Sequence, residues 1–316
     1  MSNIRVIESK IFKRPNKITE IVVGVLEFVR QDDKEVREFL EEFKKASNYK
    51  HNAVDVPIGL NKIACINDWE NIEFKQTLGE LFNGKVVSYM HRKHWEWVLG
   101  LIALKRFDLL NYKTKGLAVG AGKEDVLFYL ANTINHVYAT DLYRGDWEEA
   151  PSDFPENPNK YAPFNFQEKR LTALRMDGTK LEFPDETFDF VFSFSSIEHF
   201  GGERHAGALQ SVKEMERVLK KGGIAAIATE YVINGKEHKE FFNNQNLYTD
   251  LIDHLQMKLI EPLNFELNPS TLDNVLDFYS AVHWTSADQK YKNSHPHIVI
   301  RARNMLHTSI MLVFQK

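Results

Sequence analysis

The 316-residue sequence contains one cysteine, Cys65, which excludes an internal disulfide and a zinc site with four cysteine ligands. No apolar run approaches the roughly 20 residues of a membrane-spanning helix. The amino terminus, MSNIRVIESKIFKRPNK, lacks the apolar segment of a signal peptide. The net charge is −4, and there is no long basic run that would favour a nucleic-acid surface. These absences predict a soluble, cytoplasmic protein with no membrane span.

Short apolar segments alternate with helical patterns in the second half of the chain. Five of them predict strands in this order: GLAV, HVYATDLY, RLTALRMDG, FDFVFSFSS and GIAAIATEYV. Such alternation is typical of a parallel sheet with helices on both faces. Two further runs, HIVIRARN and SIMLVFQK, predict an antiparallel pair at the end. We therefore expect an α/β fold with a Rossmann-like, mostly parallel, seven-stranded sheet and an antiparallel last strand.

The sequence divides into an amino-terminal extension, residues 1–85, and an α/β domain, residues 86–316. Within the extension, ITEIVVGVLEFV reads as strand, and DDKEVREFLEEFKKA carries apolar residues at helical spacing. Helices are also predicted over 86–107, 123–131 and 206–220. The last of these is expected to stop at Gly222-Gly223.

The segment GLAVGAGKED predicts a cofactor loop. Gly120, Ala121 and Gly122 follow a buried strand and open a helix, so the backbone can turn tightly and a ligand can approach its N–H groups. Asp141 lies 19 residues after Gly122, at the end of the next strand and before Leu142. A carboxylate there can accept hydrogen bonds from ribose hydroxyls. A plain glycine turn and a turn-capping aspartate are the alternatives.

A third candidate is MDG, which follows the third strand. Asp177 could accept a hydrogen bond from an adenine amino group, with Met176 against the ring and Gly178 completing the turn. A β-turn of Asp-Gly type explains the same residues equally well.

These motifs, in this order and with FPDETFDFVFSFSSIEHF and RVLKKGG after them, resemble the class I S-adenosylmethionine-dependent methyltransferases. The resemblance covers about Tyr89 to Val232 and the terminal strand pair. It implies that S-adenosyl-L-methionine is the cofactor. It also implies that the glycines contact the methionine part, Asp141 the ribose and Asp177 the adenine. Ser193 and Phe194 are then expected near the methionine part and the reactive methyl.

Two positions depart from the family pattern. An acidic residue often stands two before the first glycine, where this chain has Ala118, and a third glycine is replaced by Glu124. The first departure concerns how the cofactor ammonium is held. Glu124 is expected inside the first turn of the helix, where a carboxylate is favourable. The GAGKE and SSIEHFGG segments resemble family members that modify glycans.

The segment SSIEHF, at the end of the fourth strand, supplies the candidate catalytic residue. His199 is a possible general base because the ordinary histidine pKa lies near neutrality, although it could instead shape a helix end. Ser195 and Glu198 match a capping box. A metal site formed by His199, Glu203 and His205 is conceivable, but the spacing matches no known signature, so no metal is expected.

Two further segments could border the pocket. In YMHRKHWEWV, a pocket role is possible for His91, Arg92, His94 and Trp95, with Arg92 meeting a carboxylate. The alternative is an amphipathic helix with Trp95 in the core and the charges in water, which is favoured for His94. The proline-rich segment from Tyr143 to Lys169 predicts a loop over the ligand edge. Its aromatic residues could cover an acceptor or pack on one another.

The sequence therefore predicts an enzyme that moves a methyl group to a small-molecule or saccharide acceptor, with oxygen as the favoured atom. A nicotinamide-dependent oxidoreductase is the alternative from another class, but it predicts a glycine where the chain has Asp125. A non-catalytic binding protein of the same fold is the third. Nucleic acid is not an expected partner.

Overall fold

A computed structural model describes residues 33–46 and 55–316 of the chain. The predicted strand ITEIVVGVLEFV lies outside the described residues. The helix predicted from DDKEVREFLEEFKKA is confirmed over residues 33–46. Across these described ranges, no helix combines the length and the apolar character needed to cross a bilayer.

The strands of the described residues form one mixed sheet. Their bounds are β1 (Lys62–Ile63), β2 (Lys115–Val119), β3 (His136–Asp141), β4 (Leu171–Arg175), β5 (Phe188–Phe194), β6 (Leu219–Val232), β7 (Lys258–Leu259), β8 (Leu276–Asp277), β9 (Ile300–Ala302) and β10 (Met305–Gln315).

The sheet order is β4-β3-β2-β5-β6-β10-β9-β8, with β1 and β7 also paired to β10. Strands β4, β3, β2, β5 and β6 are mutually parallel, as predicted. Strand β10 runs antiparallel to both β6 and β9, so the reversed last strand and the terminal antiparallel pair are confirmed. The prediction of seven strands is wrong because β1, β7 and β8, of two residues each, add to the sheet.

The helices flank this sheet. Their bounds are α1 (33–46), α2 (Ile72–Leu81), α3 (Arg92–Arg106), α4 (Asp125–Thr133), α5 (Ala206–Val218), α6 (Asn244–Thr249), α7 (Phe278–Val282) and α8 (Gln289–Ser294).

Helices α3 and α5 have boundaries that differ from the sequence prediction. Helix α3 begins at Arg92 rather than at residue 86, because His91 caps it by accepting a hydrogen bond from the amide of Lys93 (3.0 Å). Helix α5 ends at Val218, and β6 begins at the next residue. The glycines expected to stop the helix lie inside β6, where the left-handed φ of Gly222 (+78°) lets the strand bend.

One hydrophobic core joins the sheet to the segment before it. Strand β1 pairs with β10, and buried residues such as Leu60 and Phe74 pack in the same cluster as the central strands. Trp95 is buried there, with its indole N–H donating to Asp68 (2.6 Å). The interpretation of Trp95 as a core residue therefore holds, and the domain boundary at residue 85 stays a prediction.

Candidate functional site

A cleft of about 960 Å³ opens at the carboxyl ends of β2, β3, β4 and β5. Ligands bind at this edge in open α/β sheets. Of the site residues predicted from the sequence, nine line this cleft: Gly120, Ala121, Gly122, Asp141, Leu142, Met176, Asp177, Gly178 and His199.

The glycine turn requires glycine at both positions. Gly120 and Gly122 have φ of +65° and +48°, in the left-handed region that residues with a Cβ rarely adopt. A Cβ on Gly120 would lie 2.6 Å from Cβ of Ser196, and one on Gly122 would lie 2.4 Å from the carbonyl oxygen of Glu149. Helix α4 starts only at Asp125. Glu124 is its N-cap residue with extended backbone, so the expectation of Glu124 inside the first turn of the helix is wrong, and Glu124 lines the cleft.

Asp141 ties the end of β3 to this turn. Its Oδ2 accepts a hydrogen bond from the amide of Gly122 (3.0 Å), and its Oδ1 accepts one from Tyr143 (3.4 Å). Burial raises the pKa of the carboxyl, although these backbone donors oppose the shift. A carboxylate has about four lone-pair sites, so Asp141 retains acceptor capacity toward the cleft.

The Asp177 turn has the Asp-Gly geometry that the sequence indicated. Oδ1 of Asp177 accepts hydrogen bonds from the amide (2.8 Å) and the hydroxyl (2.7 Å) of Thr179, which lower the pKa of the carboxyl. An adenine contact would therefore use Oδ2. The ring of Phe200 packs between this turn and the glycine turn, 2.7 Å from the position of a Cβ on Gly178.

Ser193 and Phe194 lie beneath the cleft rather than at its surface, since both are buried within β5. Ser195 and Ser196 line the cleft in their place. The hydroxyl of Ser196 donates to the carbonyl of Gly120 (2.8 Å) and holds the glycine turn.

Three charged side chains lie beside the glycine turn. Nζ of Lys93 lies 2.7 Å from Oε1 of Glu124 and 3.3 Å from Oε2 of Glu96. Burial raises the pKa of Glu124 to about 7, although Lys93 opposes the shift. The carboxyl groups of Glu96 and Glu124 thus both lie beside the ammonium of Lys93. Ala118, by contrast, is fully buried in β2.

His199 lies at the cleft beside Trp147, with 5.4 Å between the two ring centroids. Its Nδ1 is 3.6 Å from Oε2 of Glu240. Burial lowers the pKa of the imidazole, although Glu240 opposes the shift, so the ring is uncharged at neutral pH. Trp147 and His199 come from different loops, and the sequence did not pair them.

The predicted capping box is wrong. The side chain of Glu198 is buried, and its Oε2 accepts a hydrogen bond from the hydroxyl of Thr229 (2.9 Å) rather than satisfying a helix amide. The hydroxyl of Ser195 donates to Glu96 (2.7 Å). Both side chains turn inward because Glu96 and Thr229 offer partners in the core.

The segment from Tyr143 to Lys169 packs largely on its own aromatic rings. Phe154 is buried and stacks on Tyr143 at 5.4 Å between centroids. The hydroxyl of Tyr143 donates to the carbonyl of Gly122 (2.8 Å), and the amide of Lys123 donates to the carbonyl of Glu149 (2.8 Å). The loop is therefore attached to the glycine turn. Trp147 and Tyr161 face the cleft.

Helix α3 and its capping residue contribute more than the sequence indicated. His91, Lys93, His94 and Trp97 line the cleft. The favoured position of His94 in water is wrong, because its ring packs against Phe82 and Trp97. Arg92 pairs with the buried Glu230 instead of lining the cleft.

Five cleft residues from the last quarter of the chain had no sequence signal. They are Ala281, Trp284, Thr285, Lys292 and His297.

His205 lies apart from His199. Its Nδ1 lies 2.9 Å from Oδ2 of Asp250, and its Nε2 is 3.2 Å from the carbonyl oxygen of Phe241. Within the described ranges, no group of three or more His, Cys, Asp and Glu side chains is placed to hold a metal ion.

Residues 117–227 match the model of a family described as a methyltransferase domain. This match spans the glycine turn, Asp141, the Asp177 turn and His199. It contains the strands whose carboxyl ends border the cleft. A search of curated proteins returned no match for the chain.

Several solved structures are similar to the chain at low identity. A putative sarcosine dimethylglycine methyltransferase from Galdieria sulphuraria is 14% identical, with a TM-score of 0.49, covering 77% of this chain and 98% of the other. A SAM-dependent methyltransferase from Aquifex aeolicus is 19% identical, with a TM-score of 0.39 and coverages of 67% and 87%. YcgJ from Bacillus subtilis is 16% identical, with a TM-score of 0.43 and coverages of 71% and 98%.

Proposed function

We propose that this chain, a class I S-adenosylmethionine-dependent methyltransferase, transfers the methyl group to a hydroxyl oxygen of a small molecule or saccharide. The observation that carries the proposal is the position of His199. An uncharged imidazole lies in the same cleft as the glycine turn, beside the exposed ring of Trp147. A hydroxyl acceptor needs a group that takes up its proton, and an uncharged imidazole can do so.

The residues at the glycine turn fit the cofactor. Gly120 and Gly122 line the cleft without side chains, which leaves the backbone of the turn open to a ligand there. Asp141 retains acceptor sites for ribose hydroxyls, and Asp177 retains Oδ2 for the adenine amino group. Bound S-adenosylmethionine supplies an electrophilic methyl group on a sulfonium.

The cluster of Lys93, Glu96 and Glu124 is proposed to hold the amino-acid end of the cofactor. The family position for an acid is Ala118 here, which is buried and uncharged. Glu124 lines the cleft and lies 2.7 Å from Lys93. Its carboxylate offers an ammonium the negative charge that Ala118 lacks.

The chain's own part in the reaction is alignment and proton transfer. The glycine turn and Asp141 position the cofactor, and the cleft wall positions the acceptor hydroxyl in line with the methyl group. His199 takes up the hydroxyl proton at its unprotonated ring nitrogen as the new carbon–oxygen bond forms. Glu240, 3.6 Å from Nδ1, then stabilises the imidazolium.

Calorimetry tests the cofactor. Titration with S-adenosylmethionine, S-adenosylhomocysteine and NADH is expected to show binding of the two adenosyl compounds and none of NADH. Binding of NADH alone would point to the oxidoreductase alternative.

An isotope assay tests the acceptor. Cell extracts, glycans and hydroxylated small molecules are incubated with a labelled methyl donor, and labelled products are treated with alkali. A methyl ether survives alkali, whereas a methyl ester does not. Label found only on nitrogen, or only as an ester, would contradict transfer to a hydroxyl.

A further inference from the structure

A group of ring side chains forms the wall of the cleft contributed by residues 89–94, at the start of α3, and by the carboxyl-terminal quarter of the chain. This histidine subsite consists of Tyr89, His91, His94, Trp284 and His297. Backbone pairing brings its two halves together. The amide of Arg92 donates to the carbonyl of His297 (2.8 Å), and the amide of His297 donates to the carbonyl of Met90 (2.9 Å).

The rings of the subsite contact one another directly. His91 stacks on His297 with 4.2 Å between centroids and 10° between planes. The Trp284 ring lies 5.0 Å from His91 and 5.2 Å from Tyr89. The indole N–H of Trp284 donates to the carbonyl of His295 (2.7 Å), which fixes its orientation. The wall is therefore a packed layer of rings held by the backbone.

The three imidazoles of the subsite are uncharged at neutral pH. Burial lowers the pKa of His94 to about 4 and that of His297 to about 3. Burial, together with the positive charge of neighbouring groups, also holds the pKa of His91 well below its ordinary value. Nδ1 of His91 accepts a hydrogen bond from the amide of Lys93, so its ring proton is on Nε2.

Two ring nitrogens in this wall are unsatisfied. Among the described residues, Nδ1 of His94 and Nδ1 of His297 have no hydrogen-bond partner. Each of these residues is only 7% exposed, and each lines the cleft. Buried polar atoms in folded proteins nearly always have a partner. Two such atoms on one cleft wall indicate a ligand that supplies hydrogen-bonding groups.

The subsite also favours a ligand without charge. Its five members carry no carboxylate. Lys292 lies at the edge, 5.4 Å from the centre of the Trp284 ring, and donates to the carbonyl of Thr285 (2.8 Å). A charged ligand group placed against the uncharged rings would lose its hydration, and the ammonium of Lys292 would offset that loss only for an anion that reaches the edge of the subsite.

We propose that the histidine subsite binds the methyl acceptor, and that this acceptor is an uncharged ring compound whose hydroxyl groups hydrogen-bond to imidazole nitrogens of His94 and His297. The inference rests on the proposed function and names the substrate class for it. Phenols and neutral pyranosides share this chemistry, because each joins an apolar ring face to hydroxyl groups.

The test uses the full chain saturated with S-adenosylhomocysteine and four probes in matched pairs. Catechol is compared with 3,4-dihydroxybenzoate, and methyl glucopyranoside with the methyl glycoside of glucuronic acid. Binding is measured by ligand-observed NMR. We expect at least one neutral probe to bind, with its charged partner about tenfold weaker or more. The pair that responds distinguishes a phenol from a saccharide.

Variants at His297 locate the binding. His297→Phe keeps the ring but removes the nitrogens, and the affinity for the neutral probe should fall about tenfold, as expected for one lost hydrogen bond. His297→Gln should recover most of that loss, because its amide can still hydrogen-bond. The affinity for S-adenosylhomocysteine should not change in either. His283→Phe is the control, since His283 is exposed and lies outside the cleft.

The outcomes separate the two proposals. If S-adenosylhomocysteine binds but no neutral probe does, if charged probes bind more tightly, or if His297→Phe binds as the parent does, the histidine subsite is not the acceptor site. If S-adenosylhomocysteine itself does not bind, the proposed function fails, and this inference fails with it. Because the backbone pairing around His297 does not use its side chain, the variants should fold, which thermal unfolding checks.

Discussion

Replacing Gly122 with alanine tests whether the cofactor turn is built around a close backbone approach. The added Cβ would lie 2.4 Å from the carbonyl oxygen of Glu149. An alanine in the left-handed region costs about 1–2 kcal/mol in conformational energy. To relieve the overlap, the Glu149 carbonyl must move away from the amide of Lys123, which donates to it at 2.8 Å. That hydrogen bond contributes about 0.5–1.5 kcal/mol.

The expected total for Gly122→Ala is thus about 1.5–3.5 kcal/mol of unfolding free energy. Gly235→Ala is the matched control. Gly235 also has a left-handed φ (+69°), but a Cβ there meets nothing within 4 Å. Gly235→Ala should lower the free energy of unfolding only by the conformational part, about 1–2 kcal/mol. The difference between the two variants isolates the contact with Glu149.

Urea unfolding of the ligand-free protein measures the stabilities, and calorimetry with S-adenosylhomocysteine measures the cofactor affinity. We expect Gly122→Ala to raise the dissociation constant more than about tenfold, because movement of the turn breaks the hydrogen bond from the Gly122 amide to Asp141. Gly235→Ala should leave the dissociation constant unchanged. Equal stability losses in the two variants, together with unchanged cofactor affinity in Gly122→Ala, would refute this account of the turn.

Three further predictions concern the cleft and the buried acids. Asp141→Ala should weaken S-adenosylmethionine and S-adenosylhomocysteine alike by about tenfold or more in calorimetry; equal affinity would show that the ribose contact is misassigned. Burial and Glu230 raise the pKa of Glu198, so the folded chain retains a proton that the unfolded chain releases above about pH 4.5. The free energy of unfolding therefore falls as the pH rises from about 4.5 to about 8. Glu198→Gln should flatten this pH dependence in urea unfolding at several pH values; an unchanged pH dependence contradicts the prediction. His199→Ala should reduce kcat about 100-fold or more and remove the acid limb of the pH–rate profile, whereas the exposed His254→Ala should not; full activity in His199→Ala excludes it as the base.

The central sheet was predictable because its signals are local. Each of the five parallel strands is a short apolar run, and the order of strands and helices predicts how they pair. Strands β1, β7 and β8 could not be predicted in this way. Each has two residues, and β1 and β7 exist only because distant β10 offers them a hydrogen-bonding edge.

The same distinction applies to the site. The glycine turn and the Asp177 turn are local backbone motifs, and the sequence located both. The contact of Lys93 with Glu124 joins residues 31 positions apart, and the stacking of His91 on His297 joins residues 206 positions apart. Neither pairing leaves a periodic pattern. The histidines at 91 and 94, three residues apart at the start of α3, were the available signal for the subsite.

The position of β10 has a consequence for how the protein is made. This strand pairs with β1, β6, β7 and β9, all of which precede it in the chain. At roughly 5–20 residues per second on the ribosome, β1 leaves the tunnel about 10–50 seconds before its partner exists. Until then, β6 presents an unpaired apolar edge, which invites association with other chains. The edge of the sheet therefore stays open during synthesis until residues 305–315 emerge and close it.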